Sequence, residues 1–397
     1  TMGKRTEKIL LINEPARDGH LPSSLWPISG RPIVDNQLGQ LPPQKIVVTG
    51  DCDTIFKAFL PLAYPQHCFE FVDIAEEEWD KYWVIKANQF AGKNINDFNE
   101  YQKLVIKDEF YIFSKGEEKT YLFQDLVIKY FEDPTRAKNR FRKAQSKLSL
   151  FPLCSLTGEN LLSYEFVQGE TLYHHLSPAV FDKFLAYCQE QLWEKVPLEK
   201  KKAEELCQIF YQEKTLKRVS EFKAKKCLPE GKLVVNGIEV PAVEEILNQI
   251  PWKELNTQDF YFIHGDLQFD NIIYNPKAGF TLIDWREDFG GFLEGGDLYY
   301  DLAKLAAGMS LPFDKIKQGK FSYHLEENRI QYQVEDHPQL DALRKRYAQF
   351  IKGQYSAKKV ELLKGLIFLN MAPLHMAPLD GLFFGHGLLS LKKYLDS

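Results

Sequence analysis

The 397-residue chain has little of what marks the more specialised classes of protein. It has six cysteines, no Cys-x-x-Cys pair, and no spacing that suits a zinc site or a small disulfide framework. The net charge of −5 comes from 50 basic and 55 acidic side chains, which gives no electrostatic reason to expect a nucleic acid partner. The apolar run at residues 9–12 is too short for a signal peptide. We therefore expect a protein of the reducing cytoplasm.

Long apolar runs are also missing. The most apolar late stretch, residues 365–379, is interrupted by Asn370, Pro373, His375 and Pro378. It therefore cannot supply the roughly 20 clean apolar residues that a bilayer requires. The sequence predicts buried core helices there, and no membrane span.

The chain changes its pattern twice along its length. Residues 1–98 alternate strand-like runs (KILLI, KIVVTG, FEFVDI) with helical patterns, which predicts a small α/β unit. Residues 99–168 contain successive β runs separated by short polar turns, which predicts an antiparallel sheet. Residues 169–397 show mostly helical spacing, with one hairpin predicted at Asn236 and Gly237. The expected fold class is α+β.

The side chains best suited to catalysis are concentrated in IHGDLQFDNII, residues 263–273, and in the following TLIDW. Three oxygen-bearing side chains, Asp266, Asn271 and Asp284, lie at the ends of short apolar runs. Phosphoryl transfer needs a carboxylate to orient the attacking hydroxyl and hard oxygen ligands for Mg²⁺. The three side chains fit those tasks in that order, whereas a lone His-Gly-Asp would be an ordinary turn.

This segment resembles the catalytic and metal-binding loops of the aminoglycoside phosphotransferase and choline kinase superfamily, distant relatives of protein kinases. The resemblance implies a bilobal protein-kinase-like fold that uses ATP and Mg²⁺. It implies Asp266 as the catalytic base, Asn271 and Asp284 as Mg²⁺ ligands, and His264 as a brace of the loop. Asp301, in a later Asp-Leu-Ala, is implied to be structural in the same way.

The resemblance continues upstream, where a nucleotide would be held. The turn around Lys115 and Gly116 resembles the family's phosphate-covering turn, and Lys129, near the end of a strand, resembles its nucleotide-holding lysine. The stretch from Glu165 to Val167 resembles the hinge that meets the adenine edge. The alternative for the turn and Lys129 is a surface hairpin with a solvated lysine. The alternative for the stretch from Glu165 to Val167 is a plain strand-to-helix turn.

One departure from the family is serious. Family members pair the lysine with a glutamate on the following helix, yet residues 134–158 contain no acidic residue. Gln145 lies near the expected place and could hydrogen-bond Lys129. Either the pairing acid comes from elsewhere in the chain, or the grip on the nucleotide is weakened.

The acceptor loop is the least specific part of the pattern. Glu287, Asp288 and Glu294 lie among aromatic residues and could bind a cationic acceptor through carboxylates and cation–π contacts. They could equally form a solvated loop. Asp297 has the position of a helix N-cap.

Residues 19–35 faintly resemble the opening of sugar-nucleotide and choline-phosphate nucleotidyltransferases, but they lack the glycine-rich turn and the lysine of that family. A degenerate or accessory unit is expected, and the resemblance suggests surface-glycan or lipid-headgroup precursors.

The sequence thus predicts a kinase that phosphorylates a hydroxyl of a small molecule, an amino alcohol such as choline or ethanolamine, or a sugar. One alternative is a catalytically weak, pseudokinase-like nucleotide-binding module. A protein kinase is disfavoured, because no Ala-Pro-Glu signature follows Asp284. The oligomeric state cannot be read from the sequence.

Overall fold

The computed structural model describes residues 8–13, 23–28, 30–90, 93–94, 117–225, 231–256 and 260–397. The chain divides into two compact units, one of residues 1–145 with 153–166 and the other of residues 146–152 with 167–397.

The first unit begins with a parallel sheet whose strand order is β5-β4-β1-β6. The central strands β1 and β4 are apolar and almost wholly buried, as expected for parallel strands covered on both faces. Asp53 caps helix α2 by accepting from the Phe56 amide at 2.7 Å. The elements are β1 Ile9–Asn13, β2 Pro27–Ile28, β3 Arg31–Pro32, α1 Asp35–Leu38, β4 Lys45–Gly50, α2 Thr54–Ala63, β5 Cys68–Phe71, β6 Trp83–Lys86, β7 Gln89–Phe90 and β8 Lys93–Asn94.

An antiparallel sheet with the strand order β11-β12-β10-β9 follows, with one helix between its strands. In the central strand β10, one residue after another is buried, so the sheet is covered on both faces. The elements are β9 Glu118–Leu122, β10 Leu126–Phe131, α3 Pro134–Ser146, β11 Cys154–Thr157 and β12 Leu161–Glu165.

The two sheets of the first unit share one hydrophobic core. Tyr121, Ile128, Tyr130 and Leu161 of the antiparallel sheet belong to the same buried cluster as residues of β1, β4 and α2. The Tyr121 ring lies 4.8 Å from the ring of Phe59, and its hydroxyl donates to the carbonyl of Leu25 at 2.5 Å. The α/β part and the antiparallel sheet are therefore packed as one body.

The second unit is mainly helical. Helices α8, α11 and α12 are buried on most of their circumference, which explains their weak amphipathic pattern. Two helices run into π-helical turns, at Cys188–Leu192 and Gln208–Glu213. The α-helices are α4 Pro178–Tyr187, α5 Lys200–Cys207, α6 Lys214–Lys225, α7 Val243–Gln249, α8 Leu298–Ser310, α9 Phe313–Lys317, α10 Leu340–Ile351, α11 Ala357–Met371 and α12 Leu379–Leu395.

Small sheets complete the described part of this unit. The hairpin β18–β19 pairs with β13, and β17 lies between β14 and β20. The hairpin predicted at Asn236 and Gly237 is confirmed, with φ angles of 49° and 81° that suit a two-residue turn. The strands are β13 Glu170–Thr171, β14 Lys195–Val196, β15 Leu233–Val235, β16 Ile238–Val240, β17 Phe260–Tyr261, β18 Ile272–Asn275, β19 Gly279–Leu282, β20 Gly296–Asp297, β21 Phe321–Glu326 and β22 Arg329–Val334.

The predicted run of helices toward the C-terminus is interrupted by the hairpin β21–β22, which joins β15 and β16 in one sheet. Near it, the His386 ring on α12 is hydrogen-bonded at 2.7 Å to the hydroxyls of Ser310 and Tyr332. Burial lowers the pKa of His386 to about 3. Among the described residues, no helix is long and apolar enough to cross a membrane.

Candidate active site

The hairpin β18–β19 sets the positions of two of the three predicted oxygen-bearing side chains. Ile272 pairs with Leu282, and the Ile283 amide donates to the Asn271 carbonyl at 2.9 Å. Asn271 and Asp284 therefore flank the same end of the hairpin. Asp284 has a φ of 59°, a left-handed conformation that a short polar residue tolerates better than most.

Asp301 fastens the loop that contains His264, Gly265 and Asp266. Its carboxylate is fully buried and accepts from the backbone amides of His264 and Gly265, each at 2.8 Å. It also accepts from the indole of Trp193 at 3.1 Å. A buried carboxylate with three donors is well compensated, so it holds the loop backbone in one conformation.

His264 ties the loop to the strand that precedes Asp284. Its Nδ1 accepts from the Asp266 amide at 3.1 Å, so Nε2 carries the proton that it donates to the Ile283 carbonyl at 2.9 Å. Gly265 has a φ of 83°, and a Cβ there would lie 2.6 Å from the Cβ of Arg286. Only glycine fits this turn without a shift of the neighbouring segment.

Asp266 itself has two contacts that the sequence did not indicate. Its carbonyl accepts from the Asn271 side-chain amide at 2.8 Å, which links the predicted base to a predicted metal ligand. Its carboxylate Oδ1 lies 2.8 Å from the Nζ of Lys304, a buried residue on helix α8. Burial alone would lower the pKa of Lys304, but the Asp266 carboxylate and Tyr300 act in the opposite direction, and the pKa is raised.

Lys304 is the functional candidate that sequence reasoning missed. It lies three residues after Asp301, and residues at this spacing share one face of a helix. Because Asp301 braces the loop of Asp266, a lysine on the same face of the helix was the available signal.

Asn271 and Asp284 offer donors that suit Mg²⁺. The amide nitrogen of Asn271 is engaged by the Asp266 carbonyl, so its amide oxygen is the end that remains for a ligand. With the carboxylate of Asp284, this gives the hard oxygen donors that Mg²⁺ prefers. Among the described residues, no group of three or more His, Cys, Asp or Glu side chains forms a metal cluster, so phosphate oxygens or water would complete the coordination.

In the first unit, Lys129 is held by a carboxylate from the neighbouring strand. Lys129 is 3% exposed, and its Nζ donates to Glu118 at 3.2 Å. Arg140 of helix α3 binds both oxygens of Glu118, at 3.3 and 3.2 Å, and Arg136 lies at 3.7 Å. Glu118 on β9 therefore supplies the acid that helix α3 lacks, and the helix supplies arginines instead.

Other predicted residues of this unit are placed differently. The Gln145 amide donates to the Cys154 carbonyl at 3.4 Å and does not serve Lys129. Lys115 and Gly116 lie outside the described residues. Glu165 is the exposed last residue of β12, and the boundary between the two compact units falls just before Val167.

The three acidic residues proposed for a cationic acceptor have different surroundings. Asp288 accepts from the Gly291 amide at 2.6 Å and so stabilises its own turn. Glu287 is buried, whereas Glu294 is exposed. Phe289, in the same segment, is fully buried in the core. The predicted N-cap is confirmed, because Asp297 accepts from the Tyr299 amide at 3.1 Å.

The described architecture has both helices and sheets, as the α+β class expected from the sequence does. No protein-family model matches the sequence, and no curated protein sequence matches it.

The solved structures that match include aminoglycoside phosphotransferases and small-molecule kinases. One is the gentamicin complex of APH(2″)-IIa, with 16% identity over 75% of this chain and 96% of that chain, at a TM-score of 0.38. Another is an ethanolamine kinase from Plasmodium vivax, with 16% identity over 74% of this chain and 87% of that chain, at a TM-score of 0.37. A third is a glucosamine kinase, with 11% identity over 70% and 76% of the two chains, at a TM-score of 0.35.

Proposed function

We propose that the protein transfers the γ-phosphoryl group of ATP to a hydroxyl of a small molecule. Asp266 would accept the proton of the attacking hydroxyl, and Asn271 and Asp284 would hold Mg²⁺. When bound there, Mg²⁺ would neutralise charge on the phosphate oxygens. The observation that carries the proposal is the connected set of hydrogen bonds from Asp301 through His264 to Asp266 and Asn271.

This set of bonds matters because phosphoryl transfer depends on positioning more than on covalent chemistry. A loop fixed by a buried carboxylate needs little reorganisation when the substrates bind. Two contacts to the residue after the hairpin support the same conclusion. The His264 ring donates to the Ile283 carbonyl, and the Ile283 amide donates to the Asn271 carbonyl.

The nucleotide is the second part of the proposal. Lys129 would bind the α- and β-phosphates of ATP, aligned by Glu118, and the backbone from Glu165 to Val167 would meet the adenine edge. A buried lysine whose position is set by a carboxylate is preorganised for phosphate. This arrangement supports nucleotide binding, which an active kinase and a pseudokinase-like binding module would share.

The acceptor class proposed from the sequence is an amino alcohol or a sugar, in a cytoplasmic step of surface-glycan or lipid-headgroup synthesis. The protein would act on it without nucleic acid or a membrane span.

The test is ADP formation with Mg·ATP across amino alcohols, sugars, aminoglycosides and amino acids, comparing the wild type with Asp266→Asn. Loss of a general base costs about 10²- to 10⁴-fold in rate, so the substitution should reduce kcat by that amount with the KM for ATP little changed. Asp270→Asn is the matched control, because Asp270 lies in the same loop but pairs with Lys317 at 3.0 Å. Equal turnover by Asp266→Asn and the wild type would contradict the proposal.

A further inference from the structure

Two side chains on one face of helix α8 reach the loop that contains the proposed base. Asp301 and Lys304 lie three residues apart, a spacing that places them on the same face of the helix. Asp301 accepts from the amides of His264 and Gly265, whereas the Nζ of Lys304 lies 2.8 Å from Oδ1 of Asp266. Helix α8 is buried on most of its circumference, so both side chains start from a rigid support.

The backbone of Asp266 is held without Lys304. Its amide donates to Nδ1 of His264 at 3.1 Å, and its carbonyl accepts from the Asn271 side chain at 2.8 Å. These bonds leave the direction of the carboxylate open, because the last torsion of an aspartate is broad and roughly two-fold. A base that turns about this torsion faces the hydroxyl only part of the time. A contact on the carboxylate itself is what fixes the base.

The two oxygens of the Asp266 carboxylate have different surroundings. Oδ1 is buried and lies against the ammonium of Lys304. The side chain of Asp266 is 23% exposed, so its exposed surface belongs to its other atoms, of which Oδ2 can accept a proton. Lys304 is itself buried, and its Nζ lies 5.8 Å from the centre of the Tyr300 ring. Because close packing restricts the lysine stem, the ammonium has a defined position at Oδ1.

Stability alone gives no reason for this ion pair. Well-packed apolar side chains often stabilise a protein as much as a buried ion pair does, because taking two charges out of water is costly. The loop also has its anchor in Asp301, which accepts from two of its amides. The pair of Lys304 and Asp266 adds a fixed direction for the carboxylate and a positive charge beside it. Both serve a base that works next to the phosphates of ATP.

We propose that Lys304 is a positioning residue that holds Oδ1 of Asp266, so that Oδ2 takes the proton of the acceptor hydroxyl. This inference rests on the proposed function and assigns its base to one oxygen. In the transfer, the O–H bond of the hydroxyl breaks and its proton moves to Oδ2, while the hydroxyl oxygen bonds to the γ-phosphorus of ATP. The bond from that phosphorus to the bridging oxygen breaks, and its electron pair leaves with ADP. Lys304 keeps its protons throughout.

The first measurement is kcat for ADP formation by the full chain, with Mg·ATP and the most active acceptor among amino alcohols, sugars, aminoglycosides and amino acids. The variants are Lys304→Met, which fills the same space without the charge, Asp266→Asn, and the two combined. Lys317→Met is the matched control, because Lys317 also pairs with a carboxylate of this loop, that of Asp270, at 3.0 Å. Urea unfolding gives the folded fraction of each variant, so that every rate refers to folded protein.

We expect Lys304→Met to lower kcat about 10²-fold, the cost of a reacting group misplaced by about 1 Å. Lys317→Met should keep the wild-type rate. The double variant should be as active as Asp266→Asn, because Lys304 acts only through Asp266. A purely structural loss would instead add to the loss in Asp266→Asn.

The second measurement is rescue of Lys304→Ala by added n-propylammonium, which has the three carbons and the ammonium that this substitution removes. The compound has no hydroxyl, so it cannot replace the acceptor. It should raise the kcat of Lys304→Ala about 10- to 100-fold, the range for one hydrogen bond to a charged group. Tetramethylammonium has no N–H group and should have no effect, and neither cation should rescue Asp266→Asn.

The outcomes separate this inference from the proposed function. Equal kcat in Lys304→Met and the wild type, a double variant slower than Asp266→Asn, or no rescue by n-propylammonium would each overturn the inference. The kinase function would still stand in these cases if Asp266→Asn had lost its turnover. A wild type that formed no ADP with any acceptor would contradict the kinase function, and the inference with it.

Discussion

The charge of Glu118 should matter both for the stability of the first unit and for the alignment of Lys129. Its side chain is 9% exposed and serves Lys129 at 3.2 Å and Arg140 at 3.3 and 3.2 Å. The substitution Glu118→Gln keeps the shape but removes the negative charge, which leaves two buried cations facing each other. Breaking a buried ion pair from one side costs about 3–5 kcal/mol in the free energy of unfolding.

The assay is thermal unfolding followed by circular dichroism. For a domain of 150–250 residues, 1 kcal/mol corresponds to about 2–4 °C, so the midpoint of the first unit should fall by about 6–20 °C. The matched control is Glu117→Gln, because Glu117 is 76% exposed and lies 3.4 Å from Arg136. Exposed pairs of this kind contribute about 0–1 kcal/mol, so the control should unfold close to the wild type.

A second readout concerns the nucleotide. With Glu118 replaced, Lys129 is no longer aligned, and the KM for ATP should rise at least about tenfold if 1.4 kcal/mol of binding is lost. The double variant with Lys129→Met should show no further increase, because the two residues act as one unit. If Glu118→Gln unfolded like the wild type and bound ATP equally well, the assignment of Glu118 as the partner of Lys129 would be wrong.

The remaining predictions concern the second unit. His386 has a folded-state pKa of about 3 against an ordinary 6.5. Its contribution to the free energy of unfolding is therefore complete above pH 6.5 and is lost as the pH falls toward 3, by about 2 kcal/mol at pH 5. His386→Gln should flatten the dependence of urea unfolding on pH in this window. Gly265→Ala should lower both stability and kcat, since the new Cβ would meet Arg286, while Gly291→Ala, also at positive φ but with open space around it, should affect unfolding alone. Asp301→Asn replaces an acceptor by a donor among three N–H groups and should cost about 1–3 kcal/mol or more by chemical denaturation; an unchanged midpoint would contradict its role as a brace.

The sequence carried most information where a turn demands particular residues. Asn236 and Gly237 predicted a hairpin because both positions of that turn require positive φ, and the structure has it. Asp297 was readable as an N-cap for a similar reason, since a short acidic side chain before a helix can accept from the first amides of that helix. Hydrophobic periodicity and turn signals predicted an α/β part, then an antiparallel sheet and then a helical part.

Contacts between distant parts of the chain could not be read in this way. The partner of Lys129 lies 11 residues before it on the neighbouring strand, and only the pairing of β9 with β10 brings Glu118 beside it. Lys304 meets Asp266 across 38 positions, and Lys214 meets Tyr300 across 86. The late hairpin β21–β22 was missed although its strands, FSYHLE and RIQYQV, alternate apolar and polar residues, which is the signal of a half-buried strand.

The core shared by the two sheets of the first unit has a consequence for how the protein loses its structure. Because Tyr121 and Ile128 are buried among residues of β1, β4 and α2, neither sheet can open without exposing apolar surface of the other. Amide hydrogens of the central strands β4 and β10 should therefore exchange with solvent together, in one cooperative event. The α/β part, which was expected to be accessory, is therefore needed to keep strand β10, which contains Lys129, folded.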